Sequence, residues 1–255
     1  MAGGSGTRLF PLTKAVNKHL LPIFDKPLIY YPLTTLMLAG IREFALVTSP
    51  NEVANFKRLL GDGSQFGVEI RYVEQPHPAG IAQGLSLTRD FIESHKVGFI
   101  LGDNLFHGIG LGRQLAEHRT ITGAHIFSYR VRNPESYGVV ELGEDERIID
   151  LHEKPTNPPS NLAITGLYFY DEQVSEFVST LTPSKRGELE ITDLNRIYLN
   201  NSSLEMTVLS QGTAWLDTGT FQGLHDASAY IKIVEERQNS KIGDPMEAAR
   251  NQGWI

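Results

Sequence analysis

The segment Gly3-Gly4-Ser5-Gly6-Thr7-Arg8-Leu9, followed by Lys18 and by Leu20-Leu21-Pro22, constrains this chain more than any other stretch. Glycines in a tight turn lack a Cβ and reach positive φ, so backbone N–H groups can close on phosphate oxygens. Arg8 adds a planar fork suited to bidentate phosphate contacts, and Lys18 a compact positive charge. Gly3, Gly4, Ser5, Gly6, Thr7 and Arg8 therefore read as a cradle for a nucleoside triphosphate. Other glycine motifs do not fit. A Walker A loop needs Gly-Lys-Ser/Thr at its end, and no such run follows at the required spacing. The dinucleotide fingerprint starts at Gly4 and Gly6 but meets Leu9 at its third glycine. A nucleophile elbow centred on Ser5 meets Thr7 where glycine is required. The plainer alternative is a glycine turn with an Arg and a Lys nearby on the surface.

A length of 255 residues can bury a sizeable core, and 40% hydrophobic with 21% charged residues is ordinary for a globular protein. The 23 basic and 30 acidic side chains leave a net charge of −7, which argues against a nucleic-acid partner while allowing a local basic pocket. With no cysteine there is no disulfide framework, thiolate nucleophile or cysteine-held metal. No leader pattern and no bilayer-length apolar run is visible, so a cytoplasmic enzyme with no membrane partner is expected.

Strand-like and helix-like segments alternate along the chain. Residues 27–39 are apolar nearly all round and predict a buried helix closed by Gly40. Residues 44–48 predict a buried parallel strand, 53–60 a helix, 68–73 a strand, 81–92 one helix and 97–101 a strand. A helix at 111–118 and a strand at 124–131 follow, then a hairpin from 137–142 and 147–152. Further on come a strand at 163–170, a helix at 171–181 and strands at 204–209 and 214–216. Residues 220–236 carry Phe221, Leu224, Ala227, Ile231 and Val234 on one helical stripe. Asp244-Pro245-Met246-Glu247 starts a last helix with proline in first position and a capping-box acid. Without repeats or a linker, residues 1–255 read as a single α/β domain with a mixed central sheet flanked by helices.

Chemistry-bearing residues recur where strands end. The strand at 97–101 runs into Gly102-Asp103-Asn104, the place beyond a strand's carboxyl end where α/β sheets bind ligands. Trp215-Leu216-Asp217-Thr218-Gly219-Thr220 repeats the arrangement, and the two aspartates form a reasonable Mg²⁺ pair. Asp217 also has a bland reading as a cap for the helix that follows. Glu153-Lys154-Pro155 offers a cation for a sugar phosphate and a carboxylate for sugar hydroxyls, or is simply a solvated pair. Gln75 carries a donor and an acceptor suited to a pyrimidine edge, and Gly80 opens a helix where a base can approach the backbone. The eight histidines show no close metal-ligand pairing.

These motifs agree in order with one family. The chain resembles the sugar-1-phosphate nucleotidylyltransferases, and among them those that transfer a thymidylyl group to glucose 1-phosphate. The resemblance spans the glycine loop, Asp25-Lys26-Pro27-Leu28-Ile29-Tyr30-Tyr31-Pro32, Gly102-Asp103-Asn104, Tyr137-Gly138-Val139-Val140, Glu153-Lys154-Pro155, Thr165-Gly166-Leu167-Tyr168-Phe169-Tyr170, Arg186-Gly187-Glu188-Leu189-Glu190-Ile191-Thr192 and Trp215-Leu216-Asp217-Thr218-Gly219-Thr220. It implies a Rossmann-like nucleotidylyltransferase fold and conversion of dTTP and glucose 1-phosphate to dTDP-glucose and pyrophosphate. Residues 3–8 would wrap the triphosphate with His19 beside them, and Gln75, Gly80 and Ile81 would hold the base. Asp103 and Asp217 would hold Mg²⁺, and Asp103, Asn104, Gly138, Glu153, Lys154 and Ile164 would line the sugar-phosphate site. Arg8, Lys18, Lys154 and Asp103 would carry catalysis. The resemblance also implies a homotetramer inhibited by dTDP-L-rhamnose.

Departures are visible too. The family places a β-strand before the glycine loop and a helical tail at the end. Here only Met1 and Ala2 precede Gly3 and the chain stops at Ile255, so both are expected to be missing. His19 stands where the best-known thymidylyltransferases have Gln, Ala79 replaces an acid, and His152 replaces a Glu. Use of UTP or another hexose 1-phosphate is the neighbouring alternative. A non-catalytic sugar-nucleotide-binding paralogue is a different one, and its expected sign, loss of Asp103, Asp217, Lys18 or Lys154, is absent.

Overall fold

The structure is a computed structural model describing residues 1–4 and 6–255. Its elements are mixed α/β, and the chain forms two compact units. One comprises Met1–Pro78, Ile100–Glu117 and Gly212–Ile255, the other Ala79–Phe99 and His118–Gln211.

In the first unit, Glu43–Thr48 and Glu69–Glu74 pair in parallel. Met1 and Ala2 also lie in hydrogen-bonded register: Ala2 N–H donates to Val47 O at 2.7 Å, and Gly102 N–H donates to Met1 O at 2.8 Å. Asn104–His107 pairs antiparallel with Ala214–Asp217. The sequence expectations include no strand at 104–107, because four residues straight after a turn are too few for alternation to register. Helix Tyr30–Leu38 is buried from Tyr31 to Met37, in keeping with its all-round apolar pattern. Helix Phe221–Gln238 is capped by Thr220, whose hydroxyl accepts from Gly223 N–H at 3.0 Å, so Asp217 is not its cap. Helix Pro245–Asn251 is capped by Asp244, which accepts from Met246 and Glu247 N–H at 2.8 and 3.1 Å. Ile23, Leu28, Tyr31, Leu105, Ala227, Ile231 and Ile242 form one core beneath these elements.

The second unit is built on a mixed sheet ordered Leu204–Val208, Ala124–Arg130, Leu162–Tyr170, Gly138–Leu142, Ile148–Glu153, with Val97–Ile100 also pairing with Leu162–Tyr170. Its first pair is parallel, and the Gly138–Leu142 and Ile148–Glu153 hairpin is antiparallel. Leu162–Tyr170 is buried along its whole length, as a near-continuous apolar strand requires. The single helix expected at 81–92 is two, Gln83–Leu87 and Arg89–Ile92. They part at Thr88, whose hydroxyl donates back to Gly84 O and Leu85 O at 3.0 and 3.1 Å, a bond that bends helices. Helix Ile191–Asn200, against Ile148–Glu153, has no counterpart among the sequence expectations because polar Thr192 and Asn195 lie on its buried face beside Ile191, Leu194 and Tyr198.

Leu105 is fully buried on the short strand beside Asp103. Leu105→Ala should destabilise the protein by about 2–5 kcal/mol, the usual range for truncating a packed leucine. Urea-unfolding midpoints of the two proteins measure this directly.

Candidate active site

Pairing of Asn104 with Asp217 brings two strand ends together in the first unit. Thr218 then donates twice to Asp103 O, from its N–H at 3.0 Å and its hydroxyl at 2.8 Å. Asp103 is held at both carboxylate oxygens. Lys18 Nζ lies 2.5 Å from Oδ2, and Asn104 Nδ2 donates to Oδ1 at 3.1 Å. Trp215 Nε1 donates to Asn104 Oδ1 at 2.6 Å, which sets the direction of that amide.

The carboxyl groups of the two aspartates are shifted in opposite directions. Burial resists ionisation of Asp103, but the Lys18 charge and the hydrogen bonds from Lys18 and Asn104 outweigh it and hold the carboxyl below its usual range. Asp217 moves the other way: burial first, then the charge of Asp103, push its carboxyl up. Gly219 N–H, at 2.9 Å from Oδ1, and the charges of Arg8 and Lys18 only partly offset that rise. Crowded carboxylates that repel each other, offering hard oxygen donors, suit a small divalent cation.

Around this pair lie the loop residues expected to bind a nucleotide. Gly4 has φ of +104° and open space where a Cβ would project, as a close-approach turn needs. Arg8 is exposed, with its guanidinium against Gly219. Buried Gln75 packs its amide oxygen against Gly3, so close that a Cβ there would overlap it. His19 is only 1% exposed and lies against Gly102. Thr7 sits in the short turn Thr7–Leu9, and Ser5 falls outside the described residues.

The second unit gathers the residues expected to hold the sugar phosphate. Gly138 pairs with Glu153, and a Cβ at Gly138 would lie 3.4–3.5 Å from Thr192 Oγ1, Glu153 Oε2 and Ile164 Cδ1. Thr192 Oγ1 donates to Glu153 Oε2 at 2.6 Å. Lys154 takes positive φ (44°), with its side chain half-exposed and its Nζ 3.6 Å from Glu153 Oε1. Arg186 Nη2 donates to the same oxygen at 3.4 Å and grips Glu190 through both of its oxygens at 2.8 and 2.9 Å. Gly80 (φ +101°) meets the backbone of this same segment: a Cβ there would fall 2.4 Å from Leu189 O, so only glycine fits. Ile81 follows it, half-buried.

Arg186, Glu190 and Thr192 received no role from the sequence, although they stand in a motif that resembles the family's. Nothing in Arg-x-x-x-Glu-x-Thr by itself points at Glu153. One histidine, His152, has acidic neighbours that its place in the sequence does not show. Glu141, Asp150 and His152 converge on the hairpin with ligand atoms within 4.8 Å of one another. His152 Nε2 lies 2.6 Å from Glu141 Oε2, and Arg196 pairs with Asp150 at 3.2 Å. Strand periodicity put Asp150 and His152 on one face, and only the hairpin register added Glu141.

The chain belongs to the nucleotidyl transferase family, whose sequence model matches residues 1–233. It is 51% identical over 255 residues to a glucose-1-phosphate thymidylyltransferase of Mycobacterium tuberculosis (strain ATCC 25618 / H37Rv), covering all of this chain and 88% of that one. A Xanthomonas campestris pv. campestris (strain B100) protein of the same name is 52% identical over 257 residues, with 100% and 87% covered. Among solved structures, a Bacillus anthracis protein crystallised with sucrose, and assigned as glucose-1-phosphate thymidylyltransferase, aligns with TM-score 0.83 and 38% identity over 90% of this chain and 92% of its own. A UDP-glucose pyrophosphorylase complexed with UDP-glucose aligns with TM-score 0.78 and 28% identity over 91% and 97%. The fold is thus that of the nucleotidyltransferases, and the chain is an enzyme of that class.

Glu190 gives a pH test of the second unit. Burial opposes its ionisation, yet hydrogen bonds from Arg186 and Ser184 prevail and hold the carboxyl below its ordinary 4.5. A depressed folded pKa stabilises the fold fully above that value and loses the contribution as pH falls through the folded one. Glu190→Gln should therefore melt below the wild type at pH 7, with the gap closing as the pH drops below 4.5. Melting temperature against pH for both proteins checks the sign.

Proposed function

We propose that this enzyme transfers the thymidylyl group of dTTP to α-D-glucose 1-phosphate, giving dTDP-glucose and pyrophosphate. The observation that carries the reading is the Lys18–Asp103–Asp217 cluster beside the glycine loop, in a chain about half identical to enzymes named for that reaction. A phosphate oxygen of the sugar phosphate attacks the α-phosphorus in line. The new P–O bond forms as the bond to the β-phosphate bridging oxygen breaks, and that oxygen leaves on pyrophosphate. No covalent enzyme intermediate and no general base are needed, because the attacking phosphate is already ionised.

Repulsion between two anions is the first barrier, and this chain's cations would offset it. Arg8 and Lys18 serve the triphosphate with the backbone of Gly3, Gly4, Gly6 and Thr7. Lys154 serves the acceptor phosphate, while Glu153, anchored by Thr192, accepts from sugar hydroxyls with Gly138 and Ile164 beside it. Asp103 and Asp217 would hold Mg²⁺, whose charge stabilises the transferring phosphoryl group. Gln75 and the Gly80 backbone read edge groups that thymine and uracil share, so base choice rests on the 5-methyl group. Cytoplasmic location, a homotetramer and inhibition by dTDP-L-rhamnose complete the reading by likeness to the family.

Pyrophosphate release should require glucose 1-phosphate and a divalent cation, stop with EDTA and resume with Mg²⁺. In competition dTTP should outrun UTP in kcat/KM by about 10–200-fold, the worth of one methyl in an apolar pocket. A higher value for UTP, the substrate type suggested by the pyrophosphorylase relative, would overturn the thymidylyl assignment and leave the reaction class standing.

Lys154→Ala separates the two substrate sites. It should raise the KM for glucose 1-phosphate by about 10–100-fold, the loss of one charge-assisted hydrogen bond, with the KM for dTTP little changed. Equal effects on both substrates would move Lys154 to the triphosphate.

A further inference from the structure

Asn17 is buried immediately before Lys18 and caps the single turn Lys18–Leu20. Its Oδ1 lies 2.9 Å from His19 N and 2.8 Å from His19 Nδ1. The backbone N–H needs an acceptor, so the amide oxygen, not the amide nitrogen, faces His19. A second group on that oxygen must then be a donor, which puts a proton on Nδ1. One side chain thus selects the tautomer and fixes the orientation of the ring.

The oriented ring reaches the other half of the cluster. A Cβ at Gly102 would fall 2.6 Å from His19 Cδ2 and 3.0 Å from Nε2, so the imidazole lies directly on the turn that carries Asp103. Lys18, between Asn17 and His19 in sequence, meets Asp103 Oδ2. A lysine has a long, rotamer-rich stem and does not hold a fixed point unaided. Docking of its neighbour against Gly102 supplies what the stem lacks.

We infer that Asn17 is a positioning residue: by fixing the His19 ring against Gly102 it sets Lys18 on Asp103. The inference rests on the proposed roles of Lys18 and Asp103 in nucleotidyl transfer. Asn17 itself touches no reacting atom.

Asn17→Ser separates this role from plain capping. Serine caps a turn about as well as asparagine, so the melting temperature should fall only by the few degrees that the lost bond to the buried ring costs. Its shorter side chain does not span to the ring. Turnover should fall about ten-fold, with the KM values for dTTP and glucose 1-phosphate each within about two-fold of wild type. Nitrogen-15 NMR should find a protonated Nδ1 on His19 in the wild type and lose that fixed tautomer in the variant. A crystal structure of the variant should show Lys18 displaced from Asp103. Wild-type turnover in folded Asn17→Ser overturns the inference. So does reduced turnover with the tautomer and the Lys18–Asp103 contact intact, or a change confined to KM. If the wild type releases no pyrophosphate from either dTTP or UTP, the proposed reaction fails instead. The variant crystal structure then decides this inference alone, displacement supporting it and an intact contact overturning it. Should Asn17→Ser not fold, Asn17→Thr, another capping residue, takes its place in every arm.

Discussion

A ladder of four antiparallel residue pairs, from Asn104 with Asp217 to His107 with Ala214, is the constraint on which the candidate site depends. Asp103 and Asp217 come from distant parts of the chain and share no local reason to meet. The ladder makes them neighbours, and the two bonds from Thr218 to Asp103 O lock the junction. Leu105, next along the strand, sits in the core with Leu28, Tyr31 and Ile231, so packing holds the ladder in place. The acids are thus held against their own repulsion by interactions that involve neither carboxylate.

That repulsion is useful. Among crowded carboxylates the cost of a second charge appears as a raised pKa, and here it falls on Asp217 because Lys18 already supports Asp103. A divalent cation would relieve the same cost, which is how stored electrostatic strain becomes metal affinity. In the second unit the Thr192 hydroxyl and the Arg186 guanidinium engage Glu153, and the half-exposed Lys154 side chain lies beside it. Arg186 is itself steadied by Glu190, so its charge is fixed in direction as well as in sign.

Much of the fold was legible because local rules and burial agreed. The alternation at 68–73, the all-round apolar run at 27–39 and the Asp244-Pro245 start each carry one signal, and the strand and two helices appear where expected. Errors fell where a side chain competes with the backbone or where the pattern is too short. Thr88 splits a helix by bonding back to Gly84 and Leu85, which hydrophobic periodicity does not register. Asn104–His107 offers only four residues, and Ile191–Asn200 turns polar groups into its own packing face. Gly80 shows a subtler case. The sequence suggests room there for a base, whereas the cause that the structure shows is the Leu189 backbone.

By itself the sequence determined the kinds of chemistry available: a glycine loop with Arg8, cations at Lys18 and Lys154, carboxylates at strand ends, and the family to which they belong. Those are properties of residue type and order, and order along a chain survives without coordinates. Only the tertiary structure decided which group answers which. It set Lys18 on Asp103, left Asp217 with the raised pKa, and gave Glu153 to Thr192 and Arg186 to Glu190. The reason is range. Electrostatic and hydrogen-bond partners are chosen within a few ångströms, and that distance is set by strand register and core packing.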